Sequence, residues 1–131
     1  MKASISVANY EVPMPQIVFQ GNLDSIFGTV SKMGYQGVEL FLQTAEGVDP
    51  APLKELLKKH QLEVAMLVAS TDLTRSGLNM SHPDPAIRKA LLDRAPVHLK
   101  LASSLGAKVP IGFIRGSLQS GLRREDQKGW L

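Results

Sequence analysis

Three junctions of one design constrain this chain more than anything else in it. They read Met33-Gly34-Tyr35, His60-Gln61-Leu62 and Leu105-Gly106-Ala107, each following an amphipathic stretch and preceding an apolar one. A glycine after the last periodic residue is the usual left-handed end of a helix. An apolar run immediately beyond it signals a strand. Three such junctions in a row predict alternating helices and strands, hence a parallel sheet with right-handed crossovers.

The rest of the chain fits that frame. Residues 3–8 alternate small or polar residues with Ile5 and Val7 and predict a first strand, and residues 9–21, with Pro13 and Pro15, predict a loop. Asn22 is an N-cap for a helix whose apolar face is Leu23, Ile26, Phe27, Val30 and Met33. A second strand begins near Gly37 and runs over residues 38–42. Asp49-Pro50 repeats the device of a cap followed by proline, opening a helix with Leu53, Leu56 and Leu57 inward and Lys58, Lys59 and His60 at its negative end. Residues 63–68, nearly all apolar, predict a strand covered on both faces.

A long Ser/Thr/Asp/Gly loop spans residues 69–83, and Asp84-Pro85 opens a third helix whose buried face is expected to be Ile87, Leu91, Ala95, Leu99, Ala102 and Leu105. Residues 109–114 predict a fourth strand ending in Arg115-Gly116. Pro96 within the third helix and Pro110 within the fourth strand go against their elements, because each lacks a donor there. Met33 and Met66 are expected in the core.

The predicted order βαβαβαβ allows a doubly wound sheet or part of a (β/α)8 barrel. A dinucleotide-binding sheet wants a glycine-rich turn after its first strand, and Ala8-Asn9-Tyr10-Glu11 is not one. The barrel is preferred: an α/β chain of parallel (β/α) units forming about four strands of a TIM barrel, open or completed by association. Residues 1–116 are expected to form this domain and 117–131 a loosely ordered tail.

Composition narrows the function classes. No apolar run approaches the roughly 20 residues needed to span a bilayer, and the polar start is unlike a signal peptide. The chain has no cysteine, which excludes thiolate chemistry and fits a cytoplasmic location. The net charge is +3, and no aromatic residues interleave the basic ones, which argues for a solvated surface over a nucleic-acid face.

Four segments together resemble the sugar phosphate isomerase/epimerase family of xylose isomerase-like TIM barrels. They are Gly34-Tyr35-Gln36-Gly37-Val38-Glu39-Leu40; Asp49-Pro50 with Leu56-Leu57-Lys58-Lys59-His60; Gly77-Leu78-Asn79-Met80-Ser81-His82-Pro83-Asp84; and Ile111-Gly112-Phe113-Ile114-Arg115-Gly116. The resemblance covers roughly residues 3–117 and lies nearest the keto-sugar-acid and ketose 3-epimerases, with endonuclease IV a distant relative. It implies isomerase or epimerase chemistry on a keto-sugar, sugar phosphate or sugar acid. In that family a manganese or magnesium ion polarises the substrate, and paired glutamates move the proton through an enediolate. Such a barrel needs about 250 residues, and this chain matches its N-terminal half. The family's metal ligands come from later strands, so no metal ligand and no catalytic residue is expected in this half.

The expected substrate-binding residues follow the strand ends. Glu39 lies near the end of the second strand, and Arg115, with its planar fork suited to a carboxylate or phosphate, ends the fourth. Ser70 and Asp72 follow the third strand, and Asn9 follows the first. His82 belongs to a helix-entry turn, His60 to a helix end and His98 to a partly exposed helix position. The partners expected are a small sugar and, through exposed barrel edges, a second copy of the chain; no nucleic acid and no membrane are expected. The alternatives are a non-catalytic scaffold of the same fold and, third, an endonuclease IV-like nuclease.

Overall fold

The computed structural model describes residues 2–68, 73, 77–117 and 123–129. Four parallel strands form one sheet in the order β2-β1-β3-β4. They are β1 (Ser4–Ala8), β2 (Phe19–Gln20), β3 (Gly37–Phe41) and β4 (Glu63–Val68). The helices are α1 (Leu23–Lys32), α2 (Pro50–Lys59), α3 (Pro85–Ser104) and two short ones, α4 (Gly112–Arg115) and α5 (Arg124–Lys128). This is the α/β architecture of the first half of a TIM barrel.

The caps sit where the sequence puts them. Asn22, Asp49 and Asp84 each accept from a backbone N–H of the first helical turn, at 3.0, 2.9 and 2.8 Å. At the other ends the three junctions share one geometry. Gly34, Gln61 and Gly106 have φ of +91°, +56° and +67°. The next residue then donates back into the helix, Tyr35 to Val30, Leu62 to Leu57 and Ala107 to Ala102, at 3.2, 2.9 and 2.9 Å. This closes each helix and aims the chain at the sheet. Gln61 takes the left-handed conformation without being glycine, at a cost of about 1 kcal/mol.

Register sorts the strand residues onto two faces. Ile5 pairs with Val38 and Val7 with Leu40, while Val38 pairs with Val64 and Leu40 with Leu67. These six lie in or against one core with Phe27 and Val30 of α1, Leu53 and Leu57 of α2, and Leu101 and Ala102 of α3. Period-two alternation would put Val64 and Leu67 on opposite faces. A shift in register at Val38/Glu39 leaves Ala65 as the extra residue of a bulge, so both face the helices. The near-continuous apolar run in β4 is therefore explained by the bulge. It is not covered on both faces as expected: Ala65 and Met66 are exposed, Met66 at 37%. Met33, expected in the core, caps α1 and is also exposed.

Two strands differ from expectation. Residues 9–21 are not wholly a loop, because Phe19 and Gln20 pair with Val7 and Ala8 and cover part of the outer edge of β1. The Gln20 side chain fixes this return by accepting from the Val12 N–H at 2.6 Å and donating to the Ile17 carbonyl at 2.5 Å. Val12 and Ile17 close over Ala8, with Phe41 against them.

The expected strand over 109–114 is reduced to one bridge, Met66 with Lys108. The Lys108 N–H donates to Ala65 and its carbonyl accepts from Leu67, at 3.3 and 2.8 Å. The next parallel rung would run from residue 110 to the Leu67 carbonyl. Residue 110 is proline and has no N–H to give. The buried His98 ring approaches that same carbonyl instead, Nε2 to oxygen 3.4 Å. A carbonyl only accepts, so Nε2 carries the hydrogen. His98, expected to be partly exposed, is thus 2% exposed. The chain then turns into α4, and Arg115 ends a short helix in place of a strand.

Candidate functional site

The sheet face turned away from the helices carries the polar groups. Its middle row is Ser6, Glu39 and Met66, set side by side by the register of β1, β3 and β4. Ser6 Oγ donates to Glu39 Oε2 at 2.9 Å. Glu39 is half-buried and is the third of the five residues of β3, so it stands on the open face in mid-strand, further in than the expected strand end. The bulge at Ala65 lies beside it, and bulges recur next to sites because they re-aim neighbouring side chains. Val12 and Ile17 cover the far end of this face at Ala8 and Phe41. A half-buried carboxylate with one oxygen held by a serine can accept hydroxyl donors on the other.

The other expected residues are spread around this row. Asn9 follows β1; its N–H donates to the Phe41 carbonyl at 3.1 Å, and its side-chain oxygen accepts from the Gln43 N–H at 3.0 Å. It ties the ends of β1 and β3 together. Ser70 and Asp72 lie outside the described residues. Arg115 is exposed, and its carbonyl accepts from the Ser81 N–H at 3.1 Å. This bond, with that from Met80 to Ile114 at 2.9 Å, lays residues 114–117 against residues 79–81. Gly116, at φ +82°, makes the approach possible, since a Cβ there would stand 2.6 Å from Asn79 Oδ1 and 2.7 Å from Ser81 Oγ. Among the described residues no bond joins Arg115 to Glu39, Ser6 or Asn9.

Ser6 escaped sequence reasoning. One serine in a strand of small residues carries no signal, and only its register opposite Glu39 gives it meaning. The histidines serve the framework. His82 Nδ1 accepts from the Asp84 N–H at 3.1 Å in the turn that opens α3. His60 meets Asp24 at 2.6 Å, joined by Lys59 at 2.8 Å, and clamps α2 to α1. His60, and after it Lys59, hold the Asp24 carboxyl below its usual range.

A cleft of about 390 Å3 opens between Ala45 and Glu46 after β3, Leu73 after β4, and Asp93, Arg94 and His98 of α3, and Glu39 does not line it. Among the described residues no group of three or more His, Asp or Glu side chains is arranged to hold a metal ion. The described residues alone therefore do not form a set that fits the manganese or magnesium the resemblance implies. Among the described residues no helix is long and apolar enough to cross a membrane.

Comparison with curated proteins finds no match. The sequence profile of the xylose isomerase-like TIM barrel family matches residues 27–130, from mid-α1 through α5. With a parallel sheet, capped helices and junctions of matching design, the chain belongs to the xylose isomerase-like TIM barrel family and supplies the first half of such a barrel.

Proposed function

We propose that this chain provides the substrate-binding wall of a sugar isomerase or epimerase acting on a keto-sugar, sugar phosphate or sugar acid. One observation carries this reading: in a chain of this mostly enzymatic family, the open face of the sheet holds a half-buried carboxylate, Glu39, oriented by Ser6. Its other oxygen accepts from a sugar hydroxyl. Arg115 extends recognition to a carboxylate or phosphate on the ligand through its planar fork. Asn9, after β1, adds a polar group, and Ser70 and Asp72 are proposed as binding residues from their place in the sequence alone.

The resemblance brings in manganese or magnesium, but the described residues do not supply its ligands, so the role proposed for Glu39 is binding and orientation and does not run through a metal. A second reading is a scaffold of the same fold that binds without turnover. Action in the cytoplasm is consistent with a chain that has no cysteine.

Titration of the chain with representative keto-sugars, their phosphates and sugar acids, followed by amide chemical shifts, tests the binding role. Shifts are expected around Ser6, Glu39 and Met66. Glu39→Gln should weaken binding about tenfold or more, since a hydrogen bond to a charged group is lost. No shift with any of the three classes removes the reading. Epimerisation measured with manganese or magnesium added separates an active half-barrel from a silent scaffold.

A further inference from the structure

Helix α3 has two apolar faces, and only one of them is buried, Leu101 and Ala102 against the sheet core and Leu91 against Leu73 and Leu78. Leu91, His98, Leu101 and Ala102 are buried, while Leu92 and Leu99, the latter expected to be buried, are 59% and 52% exposed. At about 100° per residue, Arg88, Leu92, Ala95, Pro96, Leu99 and Ser103 fall within about 100° of one another and form one stripe. Alongside it runs an apolar groove of about 250 Å3, floored by Leu91 and Ile114 and flanked by Ile111, itself 63% exposed. Contiguous exposed apolar surface of this kind marks an interaction site.

The stripe reads the same in both directions. From Arg88 to Ser103 it runs polar, leucine, small or ring, small or ring, leucine, polar. Each member has its counterpart at the same distance from the midpoint between Ala95 and Pro96. A two-fold axis through that midpoint therefore sets Leu92 of one copy against Leu99 of the other, and Leu99 against Leu92. Ala95, with almost no side chain, lets the helices approach at the crossing. The flanking charges are compatible with it: Lys89 holds Asp93 at 2.6 Å, and the axis brings this pair, on the same side of the stripe, beside Lys100 of the other copy. An interface in which residue i meets j and j meets i is the isologous kind, the commonest in homo-oligomers.

We propose that α3 is a dimerisation surface for a second copy of this chain, packed antiparallel about an axis between Ala95 and Pro96, with the leucines seated at the mouths of the two grooves. This goes beyond the sugar-binding reading and is independent of it. It also moves association away from the strand edges, which Phe19–Gln20 and Lys108 partly cover.

The whole chain tests it. Light scattering on the purified protein should give twice its 14.2 kDa mass, falling to the single-chain mass on dilution. Leu92→Glu should weaken the dimer by about a hundredfold or more, since a two-fold interface loses each leucine twice. Circular dichroism should be unchanged, because the side chain is exposed. The chain has no cysteine, so introduced thiols report the register. Ala95→Cys should cross-link to itself, a mixture of Leu92→Cys and Leu99→Cys should cross-link, and Leu92→Cys alone should not. A single-chain mass at every concentration overturns the proposal. So does a dimer that survives Leu92→Glu, or Leu92→Cys linking to itself as readily as Ala95→Cys.

Discussion

Two apolar runs approach the sheet from helix ends of the same design, and only one becomes a strand. Val64 to Val68 pairs with β3 along its length, with one bulge. Residues 109–114 are as apolar, follow the same kind of junction, and stop after the single bridge at Lys108. Hydrophobicity does not separate the two. The difference is a backbone donor: β4 gives one at every rung, while Pro110 has none where the second rung falls. The acceptor left over, the Leu67 carbonyl, sits deep in the fold and is met by His98 from α3. A strand needs its ladder as well as its apolar face.

The largest break in this contrast should come from the continuous run. Leu67→Ala, at a fully buried position, should cost about 3 kcal/mol in urea denaturation, whereas Ile111→Ala, exposed beyond the bridge, should change the folding of the isolated subunit by less than about 0.5 kcal/mol. Next in size is His98→Leu, close in volume but without a donor. It leaves the Leu67 carbonyl buried and unmet and should cost about 2 kcal/mol. A silent substitution would mean the 3.4 Å contact contributes nothing.

Pro110→Ala reverses the contrast. It restores the missing N–H, so hydrogen exchange should show a newly protected amide at residue 110 and a gain below about 1 kcal/mol. An amide at 110 that exchanges freely would move the cause away from the proline.

The smallest effect is one of pH and belongs to the well-ordered side alone. Asp24 is bound by His60 and Lys59 and its pKa is lowered from 3.8. A depressed carboxyl contributes stability above its unfolded value and loses it as pH falls through the folded one. The α1–α2 clamp should therefore hold at neutral pH and loosen only below about pH 4. Asp24→Asn should flatten that acid limb in a pH series of thermal unfolding.

Much of the framework is legible in residues close together in the chain. The caps at Asn22, Asp49 and Asp84 and the left-handed turns at Gly34 and Gly106 rest on backbone geometry that a few neighbours fix. Gln61 was legible only by analogy with its two glycine counterparts. The candidate site was half legible. Glu39 stood out as a charge in an apolar strand, but its partner Ser6 is 33 positions away and its neighbour Met66 is chosen by a bulge. Arg115 was misplaced for a related reason: an apolar run does not reveal that its proline falls on the rung where a donor is needed.

The sequence by itself determined the three long helices α1, α2 and α3, where they begin and end, and that parallel strands join them, because periodicity, capping and turn conformation are local properties. Tertiary structure decided what depends on register between distant segments. It set the bulge that turns Val64 and Leu67 to the same side and the pairing that places Glu39 beside Ser6. It also decided which of the two apolar faces of α3 is buried. Leu91 and Leu92 are adjacent and chemically identical; Leu91 is the buried one because Leu73, Leu78 and Ile114 close over its side of the helix, and only packing settles that.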